Sequence, residues 1–162
     1  MATCSATRRQ TAWTRTRPPQ PTNGQAPHAV LDLAAVPTAP GCARSWIRQI
    51  LSGSQLAHLS DTTELIVSEL TTNAMLACRR YGRPFIRLIL TLDRSELAVL
   101  VRDYCPGAPQ SGHPGQDDEN GRGLLLVEAV SGRCGWYLPD DGTPGKVVWA
   151  ALSSRRDGVR PA

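Results

Sequence analysis

The chain has 162 residues, 41% hydrophobic and 20% charged, which suits one globular domain and excludes a disordered protein. No apolar run approaches the roughly 20 residues that cross a bilayer, and the N-terminus lacks the apolar stretch of a secretory signal. A cytoplasmic protein without membrane contact is expected. The net charge of +4 belongs to one end: residues 1–27 hold Arg8, Arg9, Arg15 and Arg17 and no acid, and the remainder carries 14 basic and 14 acidic residues. A basic arm can touch nucleic acid, but no recognition helix or aromatic platform stands behind it, so no direct nucleic-acid contact is expected. The five cysteines are scattered with no C-x-x-C pair, which argues for free thiols rather than a zinc site.

Residues 1–27, rich in Thr, Arg, Pro and Gln, read as a disordered basic tail. The ordered domain is expected over 28–153, with a polar tail at 154–162. Val30, Leu31 and Leu33 suggest a first strand ended by Pro37 and Pro40. The spacing of Cys42, Ala43, Trp46, Ile47, Ile50 and Leu51 predicts a helix that Gly53 terminates.

The stretch Thr62–Arg80 predicts the central helix, with Asp61 as N-cap and Glu64 completing a capping box. On a helical wheel Leu65, Leu76, Ile66, Ala77, Leu70 and Ala74 fill one half, and Ser68, Thr71, Thr72, Met75 and Arg79 the other. Glu69 and Asn73 sit one turn apart inside the apolar arc and are expected to point inward together. Burying an unpartnered amide costs about 2–7 kcal/mol, so something polar must meet the pair. A loop backbone would serve, and so would a bound ligand with a metal ion.

After Tyr81-Gly82-Arg83-Pro84 come two strands. Ile86, Leu88, Leu90 and Leu92 alternate, Asp93 to Glu96 turns, and Leu97, Val99 and Val101 alternate again, predicting a hairpin with one apolar face. Asp103 continues that inward row where the strand ends, either as a buried acid or as the start of a turn before Pro106. A loop runs to Asn120. Gly121-Arg122-Gly123 then precedes a short buried helix, Leu124–Val130, where glycines and free N–H groups suit a phosphate. Cys134–Leu138 and Lys146–Leu152 close the pattern as two strands. The order predicts an α+β two-layer sandwich, with helices on one face of a mixed sheet. Walker A and G-x-G-x-x-G patterns are absent.

Three boxes in order carry a resemblance to the GHKL ATPases, whose Bergerat fold includes histidine kinases and gyrase B. Glu69-Leu70-Thr71-Thr72-Asn73-Ala74 resembles the N box, Val101-Arg102-Asp103 with Gly107 the G1 box, and Gly121-Arg122-Gly123-Leu124 the G2 box. The likeness covers about residues 28–152 and is nearest to the small anti-sigma factor serine kinases, the RsbW/SpoIIAB-like group of bacteria. It implies a Bergerat-type fold binding ATP and Mg²⁺. Asn73 would hold the metal, Glu69 would accept the proton of the attacking hydroxyl, and Asp103 would meet the adenine amino group. Gly107, Gly121, Arg122, Gly123 and Leu124 would line the nucleotide, with 107–120 as a lid. The implied activity is serine/threonine protein kinase, acting as an anti-sigma factor by phosphorylating an anti-sigma factor antagonist. A sigma factor is a further partner, and a homodimer is left open. The alternative is a non-catalytic, nucleotide-responsive module that sequesters a regulator. Three positions depart from the family pattern: Cys105 stands for a glycine and would crowd the adenine, Ala77 for a histidine, and Val147 for a threonine of the last strand.

Overall fold

A computed structural model describes residues 13–18, 29–93, 95–109 and 122–155. Five strands, β1 (Ala29–Ala34), β2 (Phe85–Asp93), β3 (Glu96–Asp103), β4 (Arg133–Tyr137) and β5 (Lys146–Ser153), form one sheet in the order β1-β2-β3-β5-β4. Three helices, α1 (Ala39–Leu51), α2 (Ser60–Tyr81) and α3 (Gly123–Val130), complete the α+β fold. Every ladder between these strands is antiparallel, so the sheet is not the mixed one expected. The one parallel contact among the described residues is an isolated bridge from Arg15 to Trp136.

The central core lies between the helices and one sheet face, where Leu70 of α2 shares one buried cluster with Leu88, Val99, Val101 and Ala150. Opposite residues of β3 and β5 are also buried: Ala98, Leu100, Val147, Trp149 and Ala151 form a second cluster on the far face. The expectation of a single apolar face therefore fails for β3, whose small and aliphatic residues let both sides be covered.

The helix boundaries differ from the sequence reading for local reasons. Pro40 does not end a strand; it lies in the first turn of α1, where its missing N–H costs nothing. A 3₁₀ turn at Ala57–Leu59 leads directly into α2, so Leu59 is the N-cap and Asp61 falls inside the first turn. Glu64 is drawn to Arg48 of α1, at 2.5 and 3.1 Å, and to Ser60 Oγ, so no capping box forms. The far end follows expectation: Gly82 takes φ 63° and Arg83 N–H donates to the Cys78 carbonyl at 2.8 Å.

The buried arc of α2 is also turned from the one expected. Thr63, Val67, Thr71 and Met75 are buried, while Leu65, Leu76 and Ala77 are half-exposed. The cause is α1, which packs along α2 and covers a flank that hydropathy alone assigned to solvent. α3 is likewise less buried than expected, with Leu125, Leu126 and Val130 exposed.

Residues 13–18 are not the disordered stretch anticipated. They lie against β4 and β5: Trp136 N–H donates to Thr14 O at 3.2 Å and Trp149 Nε1 to Thr16 O at 2.7 Å. Arg15 stacks over Trp136, and Arg17 stacks over Tyr137 and pairs with Asp140. Gly135 makes room for this segment, since a Cβ there would collide with Thr16 Oγ1 and come within 3.0 Å of Thr14 O. The rest of the tail lies outside the described residues, as do residues 110–121 and 156–162. No helix among the described residues is long and apolar enough to cross a membrane.

Cys42, Cys78, Cys105 and Cys134 are free thiols. Cys78 and Cys105 are fully buried with their Sγ atoms 3.6 Å apart, and burial pushes the Cys105 thiol up to about 12. A native-state maleimide reaction at neutral pH is therefore expected to label exposed Cys42 rapidly and spare both buried thiols until denaturant is added. Mass spectrometry of peptides after labelling reads the result, and fast modification of Cys105 would contradict the packing.

Candidate functional site

Between α2, the ends of β3 and β5 and the chain after β3 lies an open cavity of about 520 Å³. That volume falls within the range of small-molecule sites. Asn73 and Ala77 of α2 line it, with Asp103, Gly107, Leu124 and Lys146 from other elements.

Asp103 reaches this wall because it keeps the inward parity of Leu97, Val99 and Val101 to the last residue of β3. It is 1% exposed. Its Oδ1 accepts the Cys105 N–H and a proton of Lys146 Nζ, each at 3.0 Å. Burial pushes the carboxyl above its usual range, and the Lys146 ammonium opposes that shift. Lys146 begins β5 directly opposite Asp103 and is 5% exposed. This close register depends on Gly145, at φ 120°: a Cβ there would collide with the Asp103 carbonyl oxygen and lie 2.8 Å from Tyr104 Cα.

Asn73 lines the cavity from α2, and its Nδ2 is buried with no hydrogen-bond partner among the described residues. A primary amide can turn either its oxygen or its nitrogen toward a partner. A buried amide nitrogen left without a partner is costly in isolation. Glu69, one turn earlier, is half-buried and does not line the cavity. Its carboxylate rests against the first residue of α3, where a Cβ in place of Gly123 would collide with Oε2. The two side chains that the sequence places on one face thus serve different neighbours.

The remaining candidates separate similarly. Gly107 lines the cavity with φ 87°, and Leu124 lines it from α3 while its carbonyl accepts the Trp13 Nε1–H at 3.3 Å. Arg122 is exposed at the N-cap of α3. Gly121 and most of the expected lid lie outside the described residues. Two departures read differently in three dimensions. Cys105 does not line the cavity; its side chain turns into the core against Cys78. Val147 faces the far side of the sheet with Trp149, so the β5 positions facing the cavity are Lys146 and Val148. Lys146 escaped the sequence reading, although it extends the inward row of Val148, Ala150 and Leu152 as Asp103 extends that of β3.

An acid–ammonium pair at one end of the cavity and an amide side chain on its helix wall give this α+β domain a polar cavity of small-molecule size. The chain belongs to the histidine kinase-like ATPase domain family, whose match spans residues 30–152. This is the GHKL superfamily of ATP-binding domains. No curated protein matches the sequence.

The residues present fit the family's nucleotide with its metal. Among the described residues no group of three or more His, Cys, Asp or Glu converges on a cation position. Mg²⁺ needs none, since it is held by one or two protein oxygens together with phosphates and water. Asn73, on the cavity wall, carries a side-chain oxygen that would suit such a place.

Proposed function

We propose that this domain binds ATP with Mg²⁺ and is a serine/threonine protein kinase of the anti-sigma factor kind, acting on a small anti-sigma factor antagonist. The observation that carries the reading is Asn73 on the cavity wall, one turn from Glu69, with its Nδ2 lacking a hydrogen-bond partner among the described residues. Asn73 would hold the metal, which when bound offsets the charge developing on the phosphates. Glu69 would accept the proton of the attacking serine or threonine hydroxyl, with Gly123 leaving room for its carboxylate beside the start of α3. Gly107 and Leu124 would border the nucleotide, with Gly121, Arg122 and Gly123 toward its phosphates. Asp103 would read the base.

The test is transfer of the γ-phosphoryl from labelled ATP to an antagonist protein, for wild type and Glu69→Ala. Loss of transfer with retained ATP binding is the expected result; undiminished labelling would remove Glu69 from the role of base. ATP at a hundred times its dissociation constant should also raise folding stability by about 2.7 kcal/mol.

A second reading is a non-catalytic module that sequesters a sigma factor or another regulator. The Asp103–Lys146 pair favours it, because the acid expected to read the base already holds an ammonium partner before any nucleotide arrives. A stoichiometric complex without phosphoryl transfer would select this reading.

A further inference from the structure

Lys146 is a buried cation at the wall of the cavity, and its pairing with Asp103 leaves both groups with unused capacity. Both hydrogen bonds to the carboxylate fall on Oδ1, from Cys105 N–H and from Lys146 Nζ, so neither occupies Oδ2. An ammonium has three protons, and Asp103 takes one. The pair therefore offers an acceptor and a donor side by side at one end of the cavity.

Adenine carries the complementary sequence on its Watson–Crick edge: the N6 amino donor lies next to the N1 acceptor. Guanine carries the reverse order, with O6 accepting and N1–H donating. We infer that Lys146 is a base-reading residue, donating a hydrogen bond to N1 of adenine while Asp103 Oδ2 accepts from N6. This deepens the proposed function and rests on its nucleotide-binding part. Guanine presented by the same edge in the same place would set acceptor against acceptor and donor against donor. Rejection of that kind is strong because it strands buried polar groups. Lys146 thus acts as a specificity determinant and takes no part in phosphoryl transfer.

The test is equilibrium binding to the full-length wild-type protein with Mg²⁺, by calorimetry. The ligands are ATP, 1-deaza-ATP, 7-deaza-ATP and purine riboside triphosphate. Expected are near-equal affinities for ATP and 7-deaza-ATP and a loss of roughly tenfold or more for 1-deaza-ATP, the scale of a hydrogen bond to a charged group. The purine riboside compound, lacking the amino group, should lose similarly. In Lys146→Met the penalty for 1-deaza-ATP should vanish. Equal wild-type binding of ATP and 1-deaza-ATP would overturn the role of Lys146 alone. Absence of binding by every nucleotide would overturn the nucleotide reading as well. The wild-type comparison needs no variant to fold.

Discussion

Asp103→Ala is expected to lower folding stability by about 3–5 kcal/mol, because it strands the Lys146 ammonium in a site that is 5% exposed. Taking a charge out of water is tolerated here only because the carboxylate lies 3.0 Å away. The instructive comparison is the double variant Asp103→Leu with Lys146→Met, which removes both charges and keeps the volume. It should regain most of the lost stability while abolishing nucleotide affinity. Urea denaturation of the three proteins measures the first effect, and nucleotide titration the second. A single variant costing under about 1 kcal/mol would mean that water reaches Lys146 and that the pair is an exposed one.

Gly145→Ala should be almost as damaging, by about 3 kcal/mol or more, for a different reason. The backbone at this position has φ 120°, and the added methyl would strike the Asp103 carbonyl, which is main chain and cannot swing away. Gly53→Ala is the control. It also has a positive φ, at 72°, but nothing lies within 4 Å of the new Cβ, so only the conformational cost of about 1–2 kcal/mol applies. Equal losses in the two variants would show that the close approach of β5 to β3 is not what glycine serves at 145. A domain's total stability is about 5–15 kcal/mol, so Gly145→Ala should also blunt nucleotide binding, since it displaces Asp103 and Lys146 together.

Period-2 alternation made the strand positions legible, and strand parity alone pointed Asp103 inward. Lys146 obeyed the same rule and was missed because it stands first in its strand, where a lysine reads as a solvated end. The α2 interior was legible in extent but not in rotation: Thr71 and Met75 are buried, and α1, a tertiary neighbour that a helical wheel does not contain, packs along α2. Asp61 and Glu64 match a capping pattern, yet a 3₁₀ turn upstream moved the helix start and Arg48 captured the glutamate. The packing of residues 13–18 was hidden because its anchors, Trp13, Arg15 and Arg17, are single residues inside a Thr- and Pro-rich stretch. Their partners lie more than a hundred positions downstream.

That short segment bears on how the domain is handled. β4 is the last strand of the sheet, and the groove over Gly135 is filled by the Thr14 carbonyl and the Thr16 hydroxyl. A version trimmed to start at residue 28, the boundary that composition suggests, would bare an unguarded strand margin and the indole of Trp149. Such a margin invites another chain to add itself, so self-association of a shortened protein would report on the missing strip rather than on any natural assembly.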